Sequence, residues 1–173
     1  NVFFGLLDHA KYMAGLQASV DQLAPGWNEG VYAGDNIFTY GRNLSFMGDD
    51  AFMDAFEDHA TQGVEQGTLW RISVVAWAAR HGMRLEGDFV ECACYRGTTA
   101  RIVADYIKLK EHQDRHYYLY DLFDHDETMP HHSLPAHSKQ LYDEVTERFS
   151  EFKNVTITQG RVPDTLHDVA PEK

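Results

Sequence analysis

The stretch Asp88-Phe-Val-Glu-Cys-Ala-Cys-Tyr-Arg-Gly-Thr-Thr-Ala100 decides how the chain is read. Asp88 to Cys94 is short and mostly apolar, as expected of a strand buried on both faces of a parallel sheet. Tyr95 to Thr99 turns the chain. Ala100 to Lys110 then carries Ile102, Val103, Tyr106, Ile107 and Leu109 at a spacing that predicts a helix. Tyr117 to Phe123 predicts a second strand ending in Asp121. Ser138 to Phe152 predicts a helix with Leu141, Val145, Phe149 and Phe152 inward, and Val155 to Gln159 a third strand. Two strand-helix-strand units of this kind make half of a doubly wound α/β fold, with the strands parallel and in the spatial order third, second, first.

Upstream, Thr68 precedes a helical stripe of Leu69, Ile72, Val75, Ala76 and Ala79 that ends in Arg80-His81-Gly82. Gly48-Asp49-Asp50 caps a shorter amphipathic helix with Phe52, Met53 and Phe56 on one side. Residues 1–45 carry scattered aromatics and turn signals and are read as an irregular arm, apart from a helix around Asp8 to Leu23. The chain therefore divides into residues 1–66, an arm with a short helix, and residues 67–173, a ligand-binding α/β domain. Aromatics in such an arm pack onto the domain more often than they line an acceptor pocket.

Ligands of open parallel sheets sit beyond the carboxyl ends of the strands, which singles out Glu91 to Thr99, Asp121 to Phe123, and Gln159 to Val162. A dinucleotide turn needs glycines so that the backbone can approach a pyrophosphate; here the turn reads Ala93, Tyr95, Gly97. A ligand with ribose and adenine but no phosphate escapes that demand, and S-adenosylmethionine is one. Glu91 is an acid in an apolar strand, where desolvation requires a partner such as a cofactor ammonium or an ordered water. The competing reading pairs it with Arg96 or Arg101. Asp121 is placed to accept the hydroxyls of a ribose, or simply to cap its own loop. The N–H groups of Gly97, Thr98 and Thr99 open a helix and suit a carboxylate.

Residues 88–100, with Tyr118-Leu-Tyr-Asp-Leu-Phe123 and Gly160-Arg-Val-Pro-Asp-Thr-Leu166, resemble the macrocin O-methyltransferase family. The resemblance covers roughly residues 68–173. It implies a Rossmann-like class I methyltransferase fold, S-adenosylmethionine as cofactor, and methyl transfer to a hydroxyl of a sugar or other small molecule. By the same resemblance Glu91 and Gly97 lie against the methionine end, Asp121 holds the ribose, and Gly160, Arg161 and Val162 border the adenine, with Ala93, Tyr95, Arg96, Thr98, Thr99 and Phe123 also at the cofactor. Ala93 and Thr98 stand where the family usually has glycine. The family's metal-binding acids, which imply a magnesium ion in a longer protein, and its catalytic base follow a fourth strand, expected beyond Lys173.

The chain opens on Asn1 rather than Met and is read as an excised piece. The first strand is then expected to leave Phe89, Val90 and Cys92 on an open edge. The piece alone is expected to lack transfer activity and to self-associate as a homo-oligomer or cover that edge. Two further readings remain: a binding module without chemistry, and a nicotinamide-dependent oxidoreductase, which the turn residues disfavour.

Between the second strand and the next helix lie His125, Asp126, His131, His132 and His137. Imidazoles with a carboxylate suit zinc, but the spacing matches no closed metal motif, and a solvated loop over the ligand mouth is favoured. With 15 Lys and Arg against 27 Asp and Glu the formal charge is -12, which argues against nucleic acid as a partner. No apolar run approaches the length that spans a bilayer, so no membrane partner is expected. The only cysteines, Cys92 and Cys94, are too close in an extended run to pair, which points to a reducing, cytoplasmic setting.

Overall fold

The computed structural model describes residues 3–129, 132–167 and 169. Its elements run α1 (His9–Val20), β1 (Tyr32–Gly34), β2 (Ile37–Thr39), α2 (Asp50–His59), α3 (Gly63–Gln66), α4 (Leu69–Gly82), β3 (Phe89–Cys92), α5 (Thr98–Tyr106), β4 (Tyr117–Asp121), α6 (Leu141–Arg148) and β5 (Val155–Gln159). Two compact units result, Asn1–Val74 and Val75–Lys173. The division falls inside α4, after the boundary expected between residues 66 and 67.

The first unit corrects the reading of an irregular arm. β1 and β2 form an antiparallel hairpin pairing Tyr32 with Thr39 and Gly34 with Ile37. Its two-residue turn is Asp35-Asn36, both at positive φ (53° and 57°), the geometry that matches strand twist. Asp and Asn tolerate that conformation because their short polar side chains find local partners. Asp35 is buried and accepts twice from Arg71 Nε, at 3.0 and 2.9 Å, while Asn36 Oδ1 accepts from the N–H of Phe4 at 2.5 Å. The aromatics pack: Tyr32 and Phe46 lie 5.1 and 5.7 Å from the ring of Trp70, and Phe46 is 6.3 Å from Phe52. Asp49 caps α2 through the N–H of Phe52, as its sequence position predicts.

The second unit is an α/β unit built on a three-stranded parallel sheet ordered β3-β4-β5. Phe89 pairs with Tyr117, Glu91 with Leu119, and Asp121 with Gln159. All five residues of the central strand β4 are buried. Leu119, Phe123, Val103, Leu141, Val145 and Phe149 form the core between the sheet and helices α5 and α6. β3 is paired on one side only among the described residues. Val90 and Cys92 are exposed there, whereas the Phe89 ring turns onto Tyr117 at 5.8 Å.

Two helices are shorter than expected, and one helical stripe is only partly buried. The helix expected to run to Lys110 stops at Tyr106, because Lys108 takes a left-handed conformation (φ 54°) and a short 3₁₀ turn, Leu109–Glu111, buries Leu109. The helix expected over 138–152 is confined to Leu141–Arg148. Phe149 and Phe152 follow it as buried residues around Arg101, whose guanidinium carbon lies 4.7 Å from the Phe152 ring. In α4, Ile72, Ala76 and Ala79 are buried but Val75 is exposed.

The turn after α5 is held by Asn154, just before β5. Its buried Nδ2 donates to the carbonyls of Leu109, His112 and Arg115 at 2.9, 3.0 and 2.9 Å, and its own backbone carbonyl accepts from the N–H of Tyr117 at 2.9 Å. Replacing Asn154 by Ala strands those carbonyls and is expected to cost about 2 kcal/mol in urea unfolding. Asn154→Asp, which sets a carboxylate against the same carbonyls, is expected to cost more.

Candidate functional site

The carboxyl ends of the three strands are stitched together at Tyr120 and Asp121. The N–H groups of Ala93 and Cys94 both donate to the Tyr120 carbonyl, at 2.8 and 3.3 Å, and the N–H of Gly160 donates to the Asp121 carbonyl at 2.9 Å. The Asp121 carboxylate, itself buried, accepts from the N–H of Tyr95 at 2.6 Å through Oδ2 and from the N–H of Phe123 at 2.7 Å through Oδ1. It therefore performs the loop-capping task that was one of its two readings.

Beyond these ends opens a cavity of about 630 Å³. Of the residues proposed from sequence, Ala93, Tyr95, Asp121, Gly160, Arg161, Val162, His132 and His137 line it. Cys92 and Leu122, inside the strand-end stretches singled out from sequence, also line it, as do Tyr120, Thr128, Met129 and Leu134, which sequence does not single out. Cys92 had a legible signal, since it is the last residue of a strand whose carboxyl end faces the ligand side. Met129 and Leu134 had none, because they lie in a loop without periodicity.

Four residues expected at the cofactor do other work. Gly97 (φ 67°) lets the turn meet α6: a Cβ there would lie 3.0 Å from Phe149 and 3.2 Å from Val145. Thr98 is buried beside Arg148, whose Nη1 is 3.5 Å from its hydroxyl. Phe123 is fully buried in the core, 5.4 Å from the Tyr142 ring. Arg96 is half-buried and does not line the cavity.

Glu91 also lies elsewhere. With Thr99 it lines a second hollow, about 500 Å³, together with Val75, Ala79, Phe89, Val90 and Tyr117. Its partner is neither Arg96 nor Arg101 but Tyr117, whose hydroxyl donates to Oε2 at 2.7 Å. Tyr117 is the registered neighbour of Phe89, two residues before Glu91, so both side chains rise from the same face of the sheet. Burial raises the Glu91 carboxyl above its ordinary range, the Tyr117 hydrogen bond offsets part of that, and the charge of Asp121 adds to it. Burial also pushes the Tyr117 phenol and the Cys94 thiol upward.

Among the histidines, His125 and His137 stack with ring centroids 6.0 Å apart, and His131 lies outside the described residues. Among the described residues, no three His, Cys, Asp or Glu side chains are placed to hold a metal ion. No described helix is long and apolar enough to cross a membrane. Comparison of the chain with protein-family profiles, curated proteins and solved structures finds no match to any of them.

These local energetics can be tested at Glu91 and at Ala93. Because the folded-state pKa of Glu91 is raised, its contribution to stability is present below the unfolded pKa and is lost as pH rises through the folded one. Glu91→Gln keeps an acceptor for Tyr117 and carries no charge. The variant is therefore expected to melt near wild type at about pH 4 and above it at about pH 7.5, and a gap independent of pH would contradict this. Ala93 sits at φ 62°, where a Cβ is strained and glycine is not. Ala93→Gly is expected to raise unfolding stability by about 0.5 to 1 kcal/mol by denaturant titration, the strain relieved exceeding the chain entropy lost.

Proposed function

We propose that residues 75–173 form the cofactor half of a Rossmann-like class I methyltransferase fold, and that the protein transfers a methyl group from S-adenosylmethionine to a hydroxyl of a sugar or other small molecule. The observation that carries this reading is the cavity beyond the carboxyl ends of three parallel strands, walled by a turn whose middle residue is Tyr95. Its size suits a nucleoside-sized ligand. A Tyr rather than a Gly at the middle of that turn weighs against the close backbone approach of a dinucleotide's pyrophosphate. The sequence resemblance over residues 68–173 supplies the reaction class.

On this reading Asp121, bordering the cavity with its carboxylate already oriented by two N–H donors, presents its remaining lone pairs to a ribose. Gly160 to Val162 border the base. Met129 and Leu134 cover the mouth with apolar surface and exclude water. The cofactor, when bound, supplies an electrophilic methyl on a sulfonium. The acceptor oxygen forms the new bond to carbon as the carbon–sulfur bond breaks, and the hydroxyl proton leaves to a base. A magnesium ion belongs to the same proposal only through the family resemblance, and no step here uses it.

A second reading, a nucleoside-binding module without chemistry, is favoured by one fact: both Asp121 oxygens are already committed to backbone donors. Calorimetry with S-adenosylhomocysteine and NAD, followed by turnover of methyl-labelled cofactor, separates the alternatives. S-adenosylhomocysteine is expected to bind and NAD not to. Cys92 is exposed in the cavity wall and Cys94 is buried with a raised pKa, so the native protein is expected to show one fast-reacting thiol. Saturating S-adenosylhomocysteine is expected to slow its modification several-fold. Binding of NAD with no effect of S-adenosylhomocysteine on either measurement would overturn the assignment. Binding without turnover on any hydroxyl acceptor would favour the module.

A further inference from the structure

Tyr95 has a feature that its place in a ligand turn does not require. Its backbone adopts a left-handed conformation (φ 52°), which glycine, asparagine or aspartate would reach at lower cost, yet the residue is aromatic. The conformation is held from below by Asp121, whose Oδ2 accepts the Tyr95 N–H at 2.6 Å. Above, the phenol oxygen accepts the N–H of Ala136 at 2.7 Å, and the ring meets the His137 imidazole edge-on at 5.3 Å. One residue therefore joins the end of β3, the end of β4 and the turn Leu134–His137.

That turn is closed on itself. The His137 N–H donates to the Leu134 carbonyl at 3.0 Å, and the Leu134 N–H donates to His137 Nδ1 at 3.1 Å. Its far end is fixed where the Ser138 N–H donates to the Phe123 carbonyl at 3.1 Å. Leu134 and His137 line the cavity on one side, while Cys92, Ala93 and Asp121 line it on the other. The Ala136 N–H points out of the turn, and Tyr95 receives it.

We propose that Tyr95 is a positioning residue that latches the Leu134–His137 turn over the strand ends, and so sets how fast a ligand enters and leaves the cavity. The proposal rests on the reading of that cavity as a ligand site. It does not depend on which ligand binds there. A glycine in place of Tyr95 would relax the backbone but leave the turn without its anchor, so the strain is retained for the side chain it delivers. Tyr95→Phe removes the phenol oxygen and keeps the ring against His137, which isolates the latch.

Two measurements need no ligand. By amide hydrogen exchange, Ala136 in Tyr95→Phe is expected to exchange about tenfold faster than in wild type, while core amides such as those of Val103 and Leu119 keep their protection. Thiol modification of Cys92, across the cavity from the turn, is expected to speed up several-fold. A third measurement uses S-adenosylhomocysteine: its association with and dissociation from Tyr95→Phe are both expected to be several-fold faster than for wild type. Unchanged Ala136 exchange and unchanged Cys92 reactivity would overturn the latch. Equal acceleration of the core amides would also overturn it, by showing that Tyr95 merely holds the fold. Failure of S-adenosylhomocysteine to bind wild type would sink the functional reading alone, because the two ligand-free measurements decide the latch.

Discussion

The carboxylate of Asp121 is the constraint on which the ligand end of the sheet depends. It stands at the last position of the central strand and spends one oxygen on the turn after β3 and the other on the turn after β4. Each is a charge-assisted bond to a backbone N–H in a buried setting, the kind that contributes about 1.5 to 3 kcal/mol. They anchor turns that carry non-glycine residues at positive φ, Ala93 and Tyr95 after β3 and Phe123 after β4. For a non-glycine residue that conformation costs about 1 to 2 kcal/mol, so the three such residues in the two turns, Ala93, Tyr95 and Phe123, cost an amount comparable to what the two bonds supply. The two turns are thus stable as a set, joined through one buried carboxylate.

Because that strain is met in folding, the cavity wall takes its shape from bonds within the fold, an economy of parts in which one carboxylate holds two turns. The same economy explains why a small side chain, Ala93, lies where the strand ends and a large one, Tyr95, two residues later. The first borders the cavity without filling it, and the second reaches across to the turn that roofs it. Gly160 completes the third strand end for a steric reason: a Cβ there would come within 2.3 Å of the Thr165 methyl group.

The parallel sheet was legible because its signals are local and repetitive: short apolar strands, helical spacing between them, and an acid or glycine at each strand end. The three strands fall where alternation and apolar runs put them. Helix ends were less legible, since Lys108 and Phe149 leave helical geometry for tertiary reasons, the burial of Leu109 and the packing of Phe149 and Phe152 about Arg101. The hairpin at Tyr32–Thr39 is hard to see in the sequence because Asp35-Asn36 lacks the glycine that usually marks such a turn, and because its strands span only three residues each. At the site, the strand-end positions could be named from sequence, but the division of labour among them could not. Whether an acid faces a ligand or a backbone N–H depends on angles that spacing does not encode.

Glu91 is the residue at which that limit matters most. Sequence places it one strand end away from Asp121, and a shared site is the natural inference for two acids at neighbouring strand ends. Position along the strands decides otherwise: Glu91 shares its face with Phe89 and Tyr117 and, by register, with Leu119 and Asp121, but it is level with Leu119, two residues short of Asp121, and lines the hollow beside α4 and α5, while the strand ends line the cavity beyond the sheet. The two carboxylates still sense each other, since the charge of Asp121 adds to the burial that raises the Glu91 pKa. The fold thus gives one carboxylate two backbone donors and makes the charge of the other costly, relieved in part by a single phenol. A chain that needed Glu91 only as packing would do better with glutamine, and one that needed it as a permanent charge would surround it with more donors. With a single phenolic donor in a half-buried apolar hollow, its protonation state is left responsive to whatever comes to lie beside it.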